Sequence, residues 1–236
     1  MNHIMSIVQV VIILAVILAV CALIRFQTTW YPHPPKPQKG RKVLACVGDS
    51  ITFGAGVRNR RKDSYPACLQ KEIGESWQVI NYGMSGRCAT TNSNAPYTRE
   101  KNYKRTFTDN PELYLVMLGT NDSKPYNWDA QEFERDLAVL LGKYVKWVGS
   151  RNVIVLKPPT AHEVNGETAY DIQEKHILEE LPIIDRIVGR LGIQALDLHE
   201  YTAGHPEWFV DGVHPNAEGN RAIASFIHAR GLLRGI

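Results

Sequence analysis

Three residues of the 236-residue chain have types and settings suited to acyl transfer. Ser50 closes the stretch Val47-Gly48-Asp49-Ser50 at the end of an apolar run, with Gly54 and Gly56 close behind. A serine hydroxyl attacks a carbonyl only when a base takes its proton. Eight histidines compete for that task. His3 and His33 lie towards the N-terminus; His162, His176, His205 and His228 have no partner pattern around them, and His199 follows Asp197. His214 stands apart in Asp211-Gly212-Val213-His214-Pro215-Asn216. A carboxylate three residues before a histidine can turn against the imidazole, fixing its tautomer and stabilising imidazolium. Gly212 permits that turn, and Pro215 suits the start of a helix. The plainer alternatives are a helix cap for Ser50 and a capping loop for the Asp211 stretch.

Such chemistry also needs donors aimed at the oxygen that becomes negative. Two strand ends offer them. Asn81-Tyr82-Gly83-Met84-Ser85-Gly86 presents the Gly83 backbone N–H, and Gly119-Thr120-Asn121-Asp122 presents the Asn121 side-chain amide. The elements that must hold these groups are legible as apolar runs at Val43–Val47, Trp77–Tyr82, Leu113–Leu118, Val153–Leu156 and Ile193–Leu198. Helix-like segments alternate with them at Tyr65–Ile73, Asp129–Val148, Ile172–Leu191 and Ala217–Leu233, while the polar Gly86–Asn110 has no clear assignment. This alternation predicts a parallel sheet covered on both faces, a three-layer α/β/α sandwich with five strands. Ser50, Gly83 and Asn121 then fall at the carboxyl ends of three strands, where open α/β sheets bind ligands.

With these blocks the chain resembles the SGNH hydrolases, the GDSL-type esterase superfamily, over essentially Val43 to Leu233. Gly48-Asp49-Ser50-Ile51 differs from the family motif by isoleucine for leucine. The resemblance implies the flavodoxin-like fold of that superfamily. It implies Ser50 as nucleophile, His214 as base and Asp211 as its orienting acid, with Gly83, Asn121 and the Ser50 N–H as oxyanion donors. The stretch Gly119–Trp128 is similar to bacterial carbohydrate O-acetylesterases. An α/β-hydrolase is a poorer match, because Thr52 stands where Gly-x-Ser-x-Gly requires its second glycine.

The expected reaction is hydrolysis of small acyl esters, acetyl on carbohydrate, with no metal or organic cofactor. A small acyl group is expected because no insertion is long enough to form a lid. Tyr126 and Trp128 are candidates to stack on a sugar, and Arg87 to meet an acidic one. The alternatives are a lysophospholipase or thioesterase, and a non-catalytic carbohydrate-binding protein on the same fold.

Residues 1–24 are apolar and uncharged from Ile4 to Ile24, about the length of a membrane-crossing helix. They predict an uncleaved single-pass anchor, with Trp30 and Tyr31 at the interface. Residues 25–42 form a basic, Pro-rich tether, and 43–236 the hydrolase domain. The chain has 27 basic and 24 acidic residues, and five of the bases lie in the tether, leaving 22 against 24 beyond it. Nothing there points to nucleic acid. Positive charge following the anchor favours a cytoplasmic domain, whereas the spacer and the chemistry favour one outside the membrane, the placement expected here. Cys46, Cys68 and Cys88 have no metal-ligand spacing, and their pairing stays open, as does the oligomeric state.

Overall fold

The computed structural model describes residues 7–30 and 33–230, with side chains over 9–21 and 33–230. It divides into two compact units, Met1–His33 and Pro34–Ile236. The first holds helix α1, Ile7–Trp30. Among the described residues no helix is long and apolar enough to cross a membrane. The expected single-pass anchor, and with it the placement of the domain across a membrane, is therefore overturned. Residues 1–6 of that expected segment, and the side chains of Trp30 and Tyr31, lie outside the described residues.

In the second unit five strands, β1 Lys42–Gly48, β2 Trp77–Asn81, β3 Leu113–Met117, β4 Val153–Lys157 and β5 Gln194–Asp197, form one sheet. Every pairing is parallel, and the order is β2-β1-β3-β4-β5. β3 and β4 are buried along their whole length, which is why they read as unbroken apolar runs rather than alternating ones. The helices are α2 Ser50–Phe53, α3 Arg60–Asp63, α4 Tyr65–Ile73, α5 Lys101–Thr108, α6 Ala130–Val148, α7 Glu174–Leu191, α8 Leu198–Thr202 and α9 Ala217–Ala229. The strand reading holds to within a residue or two. The last helix ends at Ala229 rather than Leu233, and 231–236 lie outside the described residues. The polar stretch without an assignment contains a 3₁₀ turn, Tyr97–Arg99, and α5.

Side chains alternate across the sheet, so each strand feeds two layers. Val43, Ala45, Val47, Tyr114 and Val116 pack beneath α6 and α7 with Phe133, Leu137, Ile184 and Ile187. Leu44, Cys46, Leu115 and Met117 pack beneath α4 and α9 with Leu69, Ile223 and Ile227. Cys46, Cys68 and Cys88 are all buried and free. Part of the expected tether is pinned to the domain. Gln38 N donates to Gln78 Oε1 at 2.7 Å, Gln78 Nε2 to Lys36 O at 3.1 Å, and Arg105 Nη2 to Pro35 O at 2.9 Å. A proline lacks an N–H but keeps its carbonyl acceptor, and α5 supplies the donor.

The strand order reverses between β1 and β3, the point at which doubly wound sheets place their ligands. One buried side chain of the last helix ties the start of α4 to the loop that carries His214. Asn220 accepts from Tyr65 N at 2.7 Å and donates to Pro215 O at 2.7 Å and to Asn216 O at 2.9 Å. Asn220→Ala should leave the Tyr65 N–H and the Pro215 carbonyl buried without partners, lowering stability by about 3 kcal/mol in denaturant titration.

Glu180 of α7 is fully buried, with no hydrogen-bond partner for either carboxyl oxygen among the described residues. Burial, reinforced by Asp122, Asp49 and Glu174, pushes its carboxyl well above the ordinary 4.5. The unfolded carboxyl ionises near 4.5 while the folded one keeps its proton. Over that interval the folded state binds more protons, so this group's contribution to stability falls as pH rises. Glu180→Gln removes the titration and should raise the melting temperature more at pH 8 than at pH 5.

Candidate active site

β1 delivers the chain to Asp49, whose Oδ1 accepts from Ile51 N at 2.9 Å and caps α2. Capping therefore falls to Asp49, and Ser50 begins the helix with its hydroxyl free for another partner. That partner is His214, whose Nε2 lies 2.9 Å from Ser50 Oγ. Its Nδ1 lies 2.8 Å from Asp211 Oδ2. A carboxylate can only accept, so Nδ1 carries the ring proton and Nε2 receives the serine O–H. Asp211 is fixed by its own loop, its Oδ1 accepting from Val213 N at 3.0 Å and His214 N at 2.8 Å. Gly212 makes this tight turn with φ 82°. Burial pushes the Asp211 carboxyl up, but the hydrogen bonds from His214 and the imidazole's charge outweigh it and hold the carboxyl well below its usual range.

The loops after β2 and β3 close on each other beside Ser50. Asp122 is fully buried and accepts from Ala89 N, Thr90 N and Thr90 Oγ1 at 2.9, 2.9 and 2.7 Å. Asn127 Nδ2 donates to Asn121 O at 3.0 Å. The Asn121 amide lies 3.4 Å from Asp49 Oδ2 and 3.3 Å from Arg87 O, reaching towards the Asp49 corner rather than closing a turn on its own backbone. Burial raises both Asp49 and Asp122 to about 6, against the hydrogen bonds they accept.

Gly83 departs from expectation. Its N–H donates to Asn81 Oδ1 at 2.9 Å and so is already engaged. Its need for glycine is steric, since a Cβ there would fall 2.3 Å from Phe53 N. Among the described residues the N–H of Gly86, with φ 77°, has no hydrogen-bond partner. It lies one residue before Arg87, whose carbonyl meets the Asn121 amide. Both glycines stand in one sequence block, and the Asn81 side chain takes the N–H of the first.

The remaining candidates are drawn into structural contacts. His199 pairs with Glu174 at 2.6 Å, and His176 sits 2.6 Å from Ser123 O. Trp128 stacks on His176 with centroids 5.3 Å apart and donates to Glu179. Arg87 is held by Glu100 and by Ser85 O. Tyr126 alone of the proposed sugar contacts stays open, 59% exposed. One contact has no forewarning in the sequence: Tyr170 OH donates to Asp211 Oδ2 at 3.1 Å.

Residues 46–222 match the model of the GDSL-like Lipase/Acylhydrolase family. An acetylxylan esterase from Xylanibacter ruminicola is 30% identical over 220 residues, covering 85% of this chain and 45% of that protein. The chain thus spans less than half the length of that curated relative. Among solved structures, a lipase/acylhydrolase from Enterococcus faecalis superposes with a TM-score of 0.66 at 21% identity, over 82% of this chain and 96% of the other. A carbohydrate acetylesterase from Sinorhizobium meliloti gives 0.61 at 20% identity, over 80% of this chain and all of the other, 100%. Those likenesses show a shared fold, while the match over 46–222 carries the sequence blocks themselves. The chain belongs to the GDSL-like lipase/acylhydrolase family, the esterase family in whose terms its site has to be understood.

Proposed function

We propose that the protein is a serine ester hydrolase that removes small acyl groups, chiefly acetyl, from carbohydrate. The observation that carries this reading is the continuous line from Asp211 through His214 to Ser50, 2.8 Å and then 2.9 Å. Ser50 Oγ attacks the ester carbonyl as its proton passes to His214 Nε2, and Asp211 stabilises the imidazolium that forms. The carbonyl oxygen becomes negative, and the Ser50 N–H, the Gly86 N–H and the Asn121 amide are the donors assigned to it. Collapse of the tetrahedral intermediate breaks the ester C–O bond, and His214 returns the proton to the departing alcohol. Water, deprotonated by His214, then attacks the acyl carbon; the bond to Ser50 Oγ breaks, the acid leaves, and His214 returns the proton to Ser50 Oγ.

The small acyl group is supported by how the two long connections, 82–96 and 158–173, are used. The first is anchored to Asp122 through Ala89 and Thr90, and the second to Gly212 O through His162 N at 2.9 Å. Both connections are thus tied to the loops around Ser50 rather than hinged clear of them. The carbohydrate reading is supported by the acetylxylan esterase relative and by the open aromatic face of Tyr126, a few residues beyond Asn121. On acetyl, butyryl and octanoyl esters of one alcohol, kcat/KM should fall with acyl length, and acetylated xylan should release acetate. A preference for the octanoyl ester would transfer the assignment to lipid hydrolysis.

A further inference from the structure

Asp211 Oδ2 has two donors. One is His214 Nδ1 at 2.8 Å and the other is Tyr170 OH at 3.1 Å, which arrives from 41 residues earlier in the chain. The Tyr170 ring stands edge-on to the imidazole, centroids 5.1 Å apart at 71°. Its backbone is in the left-handed region, φ 61° and ψ 29°, and Asp171 follows at φ 60°. Two successive residues bearing side chains there are not a local preference of the chain; such conformations persist when the surroundings impose them, and they cluster at functional sites. The surroundings are visible. At one end of the connection His162 N donates to Gly212 O at 2.9 Å, and at the other Gln173 N donates to Ser123 Oγ at 3.1 Å. Tyr170 is thus suspended between the His214 loop and the Asn121 loop. It remains 58% exposed, so packing does not account for its position.

We propose that Tyr170 is a positioning residue for the base. Its hydroxyl shares Asp211 Oδ2 with His214, orienting the carboxylate and moderating how strongly it holds the imidazolium. The inference rests on the ester-hydrolase reading of Ser50, His214 and Asp211. A carboxylate oxygen accepting two hydrogen bonds is a weaker partner to each than one accepting a single bond, so the phenol limits the basicity of His214. The phenol keeps its proton throughout, since burial and the adjacent Asp211 charge push it up. The titratable and charged groups facing His214 are Asp211 on its own loop, Tyr170 on the connection after β4, and Asp49 and Ser50 at the end of β1. Only Tyr170 acts by competing for the oxygen that His214 uses.

Tyr170→Phe removes the hydroxyl and keeps the ring. Two readouts apply: NMR titration of the His214 ring, which needs no turnover, and the pH profile of kcat/KM. The His214 ring should titrate at a higher pH than in the wild type, and the acid limb of the profile should move with it. Plateau kcat should fall several-fold, with KM and melting temperature nearly unchanged, because an interaction made through the base acts on the chemical step. A titration and profile superimposable on those of the wild type would overturn the proposal, even with esterase activity intact. A raised midpoint in a protein that hydrolyses no ester would support the positioning contact and refute the ester-hydrolase reading instead.

Discussion

One hydrogen bond, from the Ser50 hydroxyl to His214 Nε2, spans 164 residues of sequence and 2.9 Å of space. Its partners lie in separate loops, one leaving β1 and the other entering α9. Holding the two side chains in the geometry that the proposed reaction needs requires both loops to be rigid before substrate arrives, since the gain from proximity is lost with small misplacements. The sheet fixes the first, because β1 is paired on both sides, to β2 and to β3. Asn220 fixes the second, joining the start of α4 to the carbonyls of Pro215 and Asn216. Asp211 completes the arrangement from within the same turn, with three of its contacts made to Val213 and His214.

The electrostatics divide by depth. Asp211, partly open to solvent, is held ionised by the imidazole and by backbone N–H groups. Asp49, Asp122 and Glu180, fully enclosed, are pushed up by burial. Asp49 and Asp122, at about 6, are ionised above that pH, held by the N–H groups they cap. Asp49 then adds a second negative charge near His214. Glu180, with no donor, stays neutral over a far wider range. The cost of enclosing acids is met by capping at the two positions that shape the site, and by protonation at the third.

How much of this was legible in the sequence depended on distance along the chain. Asp211 and His214 are three residues apart, so their pairing could be read directly, and Ser50 announced itself at the end of an apolar run. The five strands were legible because β3 and β4 are enclosed on both faces and carry almost nothing polar. Gly83 is expected to donate through its N–H, and the Asn81 side chain that occupies that N–H is a detail of a two-residue turn that residue type does not announce. Trp128 and Arg87 looked like substrate contacts until His176, Glu179 and Glu100 claimed them from remote segments. Tyr170 carried no signal, since its partner comes 41 residues later and its backbone conformation is imposed from outside. The apolar N-terminal run misleads for the opposite reason: it has the composition of a membrane span, and no helix among the described residues is long and apolar enough to be one.

The most direct test of the account is to identify the residue that becomes covalently modified. Protein treated with a fluorophosphonate and digested for mass spectrometry should carry a single phosphonyl adduct, on the peptide containing Ser50, and His214→Asn should suppress its formation. An adduct on another residue, or labelling of Ser50 that is indifferent to His214, would contradict the Ser50–His214 relay on which the account is built.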